Sequence, residues 1–322
     1  MRRPLPTYVR TVRFAFGLAL GLGVVLASSA HADRNDLTLE RLIGPPSSPG
    51  AVNDVTSIPL QSAYRSLVSE LGVVMAPRLL TPADTLGYSG FAFTFDSTHT
   101  SINDKADYWQ KGVRNVSGNF LSTVSVTARK GLWAPFPSFE IGAGLTYLVD
   151  SSIYALNAYA KFGIQEGYHG WILPSIAVRG SVARLLGTNQ IDMTVISTDL
   201  TISKSFGIAG SFKLDPYIGA NLLINIVRSQ VIDSTPNIDA YKQGGMGLDL
   251  NSNTVFPNQD SILRWRLFVG LRWVWSIVSI TGEFAWAFCN DTATNCRGDG
   301  GAKIFDRSDG QATISVNAGL AF

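Results

Sequence analysis

Long apolar runs are missing from most of this 322-residue chain. Beyond residue 32, no uninterrupted apolar stretch reaches the roughly 18 residues that suggest a membrane-spanning helix, which argues against an α-helical membrane bundle. The nearest candidate, Leu263 to Phe288, contains Arg264, Arg266 and Arg272. On a helix these arginines scatter around the axis. On a strand they share one face, opposite Trp265, Leu267, Val269, Leu271 and Trp273, so the strand reading is the one that keeps them out of lipid. Histidine is scarce, with three in all. No GxSxG, HExxH, Walker-type loop or GxGxxG occurs, which leaves none of these hydrolase, metalloprotease or nucleotide-binding signatures. No metal site or cofactor is expected. Excess charge is also lacking. Four of the 26 Lys and Arg, and none of the 24 Asp and Glu, lie within residues 1–32, so the remainder carries 22 against 24. That balance gives no reason to expect nucleic acid as a partner.

What is present begins with residues 1–32, which read as a secretory signal. Arg2, Arg3, Arg10 and Arg13 supply a positive start, Phe14 to Leu26 an uncharged apolar run, and Ala30-His31-Ala32 a small-residue cleavage site. Export puts the two cysteines, Cys289 and Cys296, in an oxidising compartment, where a disulfide tying down one polar loop is expected. Closing so small a loop adds about 2–3 kcal/mol.

Residues 33–86 form a segment of their own, periplasmic or plug-like. Gly44 to Gly50 is linker-like. A helix is expected over about 58–71, started by Ser57 and stopped by Gly72. Leu60, Ala63, Tyr64, Leu67, Val68 and Leu71 fall on one face, so the helix must bury a stripe against something. It could cover the periplasmic mouth of a barrel, plug the lumen, or lie on the inner leaflet. A small barrel is barely wider than its own filling side chains, and a helix is about 10 Å across, which favours the mouth.

From Gly87 onward, segments of alternating polarity are separated by turn residues. Phe91, Phe93 and Phe95 oppose Ala92, Thr94 and Asp96; comparable alternation recurs near 120–127, 139–147, 156–162, 175–182, 217–227, 263–274 and 277–288. The stretch near 190–203 is less regular: Met193 and Val195 share one parity, Ile196, Leu200 and Ile202 the other, and a bulge would reconcile them. The fold expected is all-β, an antiparallel up-and-down barrel over 87–322. It has about ten strands, with eight or twelve as alternatives because 228–261 could hide a hairpin. Connections after odd strands include the long, polar stretches of about 98–118, 228–261 and 289–310, while those after even strands are short, the asymmetry of a membrane barrel. Trp265 sits at one end of the eighth strand and Trp273 and Trp275 at the other, the spacing of two interfacial aromatic girdles, with Phe322 closing the chain.

The last strand carries the most specific signal. Val316, Ala318, Leu320 and the terminal Phe322 share one face. This resembles the closing strand of bacterial outer-membrane barrels and the signal read by their assembly machinery. Together with the signal segment and the strand series, it resembles Gram-negative outer-membrane β-barrels as a class, without reaching a named family. The resemblance implies a bacterial outer-membrane location. It also implies outer-membrane lipids, lipopolysaccharide and the assembly machinery as partners.

The inward face is expected to hold Asp96, Arg129, Glu140, Lys161, Arg179, Arg264, Arg266, Arg272 and Glu283, with Arg266 near Glu283 across a turn at Trp275-Ser276. Six basic groups against three acidic ones suggest a narrow, weakly anion-preferring channel or passive transporter for small solutes. The alternative is a structural or surface-interacting barrel whose charges form an ion-pair network. An enzyme is not expected. Omptin-type proteases are ten-stranded with rim Asp and His, but beyond His99, Asp104 and Asp107 near one rim no motif of theirs occurs, nor does the His and Ser run of outer-membrane phospholipases. A fatty-acid transporter is similar in having a segment before its barrel, but that barrel is larger. Arg297-Gly298-Asp299 reads as a solvated loop.

Overall fold

The computed structural model describes residues 33–43, 58–116, 118–133, 138–167, 173–208, 212–233, 253–289 and 306–322. Residues 1–32, expected to be a secretory signal, the linker-like stretch 44–57 with Ser57, His169, Cys296 and Arg297-Gly298-Asp299 lie outside the described residues. No helix among the described residues is long and apolar enough to cross a membrane; strands do the crossing.

Ten long strands form one closed sheet. They are β1 (Phe91–Ser101), β2 (Phe120–Leu132), β3 (Phe139–Leu148), β4 (Tyr154–Gln165) and β5 (Ser175–Leu186), then β6 (Ile191–Ser203), β7 (Phe212–Ser229), β8 (Gln259–Trp275), β9 (Val278–Ala287) and β10 (Gln311–Ala321). Each pairs antiparallel with the next, and β10 pairs with β1, with Thr94 opposite Gly319, so no edge remains open. The terminal residue completes the seam: Phe91 N donates to Phe322 O at 3.0 Å and Phe322 N to Phe91 O at 2.8 Å. The extra hairpin considered within 228–261 appears as a two-residue ladder, Ile232–Asp233 on Asn253–Thr254, outside the barrel.

Alternation governs every wall. Phe93, Leu156, Ile218, Val269 and Ile314 are exposed on the outside, while Thr94, Asn221, Thr281 and Ser315 are buried inside. A ring of exposed large apolar side chains around a closed barrel is stable when lipid covers it, because water would leave that whole belt unfavourably hydrated. The chain is therefore a transmembrane β-barrel. Trp265 and Trp286 stand exposed near one end of the belt, and Trp273, Trp275 and Phe322 near the other.

The strand ends joined through 102–119, 230–258 and 288–310, and through the short turns 149–153 and 187–190, lie at one end, here the loop end, so long connections occur after three of the five odd strands; Phe322 and the tight 276–277 turn mark the opposite turn end. Trp275 pairs with Val278, so the turn is Ser276-Ile277, one residue later than expected, with Ser276 at φ 55°. Glu283 consequently faces Gly270 across the ladder, and Arg266 faces Ala287.

A bulge in β6 is not present: both of its ladders run without a register shift. Met193 and Val195 are inward and fully buried, while Ile196 and Leu200 are outward and exposed. Both faces of β6 are apolar near the loop end because the lumen there is itself apolar.

Candidate functional site: a filled lumen

That apolar lining meets a helix. α1 spans Ile58–Met75 and passes through Gly72 instead of stopping there. It ends where Pro77 approaches, since the residue before a proline avoids the helical region. Gly72 has a different task. A Cβ at this position would lie 1.9 Å from the Asn225 amide on β7, so the glycine lets the helix backbone lie against the barrel wall. Tyr64, Leu67, Val68, Leu71, Val74 and Met75 are buried in one cluster with inward residues of the wall, among them Leu121, Met193, Val195, Leu223 and Ile262. Tyr64 stacks on Phe256, ring centroids 4.5 Å apart. The helix is thus inside the loop-end half of the barrel, not across the periplasmic mouth. The width argument fails because helix and wall approach closely: Gly72 of α1 brings the helix backbone against Asn225, and the wall residues clustered with the helix are apolar.

The polar rim of α1 is fastened to the loops. Glu70, fully buried, accepts hydrogen bonds from Tyr108 Oη at 2.5 Å, Trp109 Nε1 at 2.6 Å and Asp309 N at 3.1 Å. Tyr108 and Trp109 belong to a one-turn helix, α2 (Asp107–Gly112), in the β1–β2 loop. Burial, then the neighbouring Glu70 carboxylate, push the Tyr108 phenol well above its ordinary value. On the wall, Arg264 Nη1 donates to Ser69 Oγ at 3.1 Å and Nη2 to Asp309 O at 2.8 Å.

Residues 33–43 sit at the loop end too. Thr38 N donates to Gly112 O at 2.9 Å, Arg114 N to Asp36 O at 3.0 Å, and Asn115 N to Arg34 O at 3.0 Å. Asn35 N reaches Asp150 O at 2.8 Å in the β3–β4 turn, and Leu39 N reaches Gln190 Oε1 at 2.8 Å in the β5–β6 turn.

After α1 the chain descends through the lumen as an extended strap, 76–86. Arg78 Nη2 donates to Thr313 Oγ1 at 3.0 Å. Ala83 N meets Ser203 Oγ at 3.0 Å, and Lys161 Nζ is held by Pro82 O at 2.6 Å and Asp84 O at 2.7 Å. Thr85 N donates to Glu166 Oε1 at 2.8 Å and Leu86 N to Glu140 Oε2 at 3.0 Å, at the turn end. Each contact satisfies a strap backbone group, or a wall side chain, that would otherwise be an unpaired polar group away from water.

All nine charged residues singled out in the sequence lie on the inward face. Arg129 and Glu140 pair at 3.8 Å, with Tyr159 Oη also donating to Glu140 at 2.8 Å. Arg179 pairs with Asp199, which also accepts from Asn221. Arg272 pairs with Asp215 at 2.7 Å. Asn317 donates to Asp96, and Tyr217 Oη donates to Glu283 at 2.8 Å. Asp199 and Asp215 are the residues the sequence reading missed. The irregular parity of β6 hid the first, and β7 begins earlier than expected and so takes in the second. With Glu70 and Asp84 from the filling segment they add four acidic groups, against the two further cations Arg78 and Lys213, so the six-to-three excess of positive charge narrows to near balance and the basis for anion preference weakens. His99 lies on the outward side of β1, bonded to Ser122 Oγ at 2.8 Å. Asp107 pairs with Lys111 at 3.3 Å. Cys289 is not a free thiol, and its expected partner lies outside the described residues.

No protein-family model matches the chain, and no curated protein sequence matches it. Among solved structures it is similar to Neisserial surface protein A, at 11% identity over 72% of this chain and 97% of that one, TM-score 0.27. It is also similar to the N-terminal β-barrel domain of Pseudomonas aeruginosa OprF, at 11% identity over 73% and 99%, TM-score 0.25. A third is the transport unit of the autotransporter AIDA-I from Escherichia coli, at 12% identity over 80% and 98%, TM-score 0.30.

Proposed function

We propose that this protein is a closed outer-membrane barrel that threads its own N-terminal segment through the lumen and presents residues 33–43, together with the loops, at the cell surface. One observation carries the reading: residues 33–43 bond to the loop end while Gly87 and Phe322 lie at the turn end, and α1 and the strap occupy the space between. Membrane barrels keep short turns in the periplasm and long loops outside, which makes the loop end the exterior. The inward side chains support a closed state. Arg264, Asn221, Asn225 and Glu140 have no exposed surface, whereas a water-filled channel would wet them. The presented surface is then the site of function. Its partners are extracellular ones and lipopolysaccharide at the barrel's outer rim, with the assembly machinery acting on the last strand.

A single engineered thiol tests the reading. Arg41, exposed on the segment, changed to Cys should react with a membrane-impermeant maleimide on intact cells. Ser276→Cys, in the turn-end turn, should react only after permeabilisation. The reverse pattern would overturn the proposal.

A narrow channel that opens when α1 withdraws is the second reading. What favours it is the turn-end half, where charged side chains line the wall and the strap is held mainly by hydrogen bonds and by the Lys213–Asp84 ion pair at 3.5 Å.

A further inference from the structure

Beneath α1, where the strap crosses the barrel, lies a cavity of about 20 Å³. Arg78 and Thr81 of the strap border it, facing Lys161, Arg179, Arg266 and Glu283 of the wall. The local charges do not cancel. Arg179 is taken by Asp199, and Lys161 spends its ammonium on the Pro82 and Asp84 carbonyls. Arg78 and Arg266 are left with Glu283, which already accepts from Tyr217. The hydrogen-bond inventory is equally unbalanced. Nε and Nη1 of Arg78, and Nε and Nη1 of Arg266, are shut off from solvent and have no hydrogen-bond partner among the described residues. Arg266 is 3% exposed. Guanidinium groups are donors only, so what completes this site must be an acceptor. An unpartnered buried donor is costly, and an unneutralised buried cation more so.

We propose that a single monovalent anion of halide size binds between Arg78 and Arg266, joining the strap to the β8 wall. Size and charge select it. The cavity exceeds the about 10–15 Å³ that one water needs, yet has no room for a tetrahedral oxyanion with its own shell of donors. A water molecule accepts two hydrogen bonds and neutralises nothing, whereas a halide accepts from several N–H groups at once and offsets the surplus charge. The site is built half from the wall and half from the filling segment, so the anion acts as a pin: it binds when the strap is seated. This rests on the strap's place in the lumen, and not on which side of the membrane residues 33–43 reach.

The test uses the full-length protein in detergent, with its unfolding midpoint followed while sodium chloride replaces sodium gluconate at constant ionic strength. Gluconate is too large to enter. The midpoint should rise saturably by a few degrees with chloride, as binding to the folded state requires, and likewise with bromide. Arg78→Gln should abolish the response while Arg184→Gln, at the exposed ion pair with Asp192, should keep it. A bromide-soaked crystal should show an anomalous peak between Arg78 and Arg266. Equal midpoints in gluconate and chloride, an undiminished response in Arg78→Gln, or bromide-soaked crystals without that peak would overturn the proposal.

Discussion

The two halves of the lumen differ in how they hold the segment that fills them. Toward the loop end, the wall turns Leu121, Leu148, Ile153, Met193, Val195 and Leu223 inward and packs them on a helix. Toward the turn end, the wall turns Asp96, Arg129, Glu140, Lys161, Asp199 and Asp215 inward and binds an extended strap. The secondary structure of the filling segment follows from that lining. A helix satisfies its own backbone and can present apolar side chains to an apolar wall. An extended strap leaves its N–H and C=O groups open, and a polar wall can pair them. Hydrophobic burial, which is non-directional, secures the upper half; hydrogen bonds, which fix register, secure the lower.

If that division is right, the largest effect comes from placing charge in the apolar half. Leu67→Asp should unseat α1 altogether, because a lone carboxylate in the apolar cluster beside Leu42 and Gly112 has no partner. The measurable result is steady conductance in a planar bilayer from a barrel that still folds. Gly72→Leu should come next, since its side chain collides with Asn225 on the wall; it should raise protease sensitivity within 58–86 without lowering barrel content in circular dichroism. Leu67→Ala should weaken docking of α1 by about 2–5 kcal/mol, the usual range for a buried leucine, read as earlier hydrogen exchange of the α1 amides. Tyr108→Phe should be milder, at about 1–3 kcal/mol, by leaving one oxygen of buried Glu70 short of a donor. In the polar half, Thr85→Val should have the smallest effect. It removes the Thr85 side-chain contact with Glu166 while the backbone N–H bond to the same carboxylate survives.

The same contrast explains what could be read from the residues. Strands with a polar inner face announced themselves: β1, β3, β9 and β10 alternate cleanly, and the arginines of β8 decided strand over helix. Phe322 and its apolar neighbours marked the closing seam. Where the inner face is apolar, alternation fades. β6 looked irregular for that reason, and the expected bulge stood in for a helix that its inward side chains touch. Asp199 was overlooked with it. The stripe of Tyr64, Leu67, Val68 and Leu71 showed that α1 must be buried, but a stripe does not say against what. The partner surface is spread over β2, β6, β7 and β8, far apart in the chain. Gly72 was read by its local habit as a helix stop, although its role is set by Asn225, 153 positions later by their numbering. The fastening of residues 33–43 to the 112–115 and 149–152 segments is long-range backbone pairing with no local signature.

Bilayer conductance, compared between the full chain and a chain lacking residues 33–86, tests the filled lumen most directly. The full chain should be silent across voltages, and the shortened barrel, with its turn-end wall of charged side chains uncovered, should pass steady current. Steady current from the full chain, indistinguishable from that of the shortened one, would contradict the account.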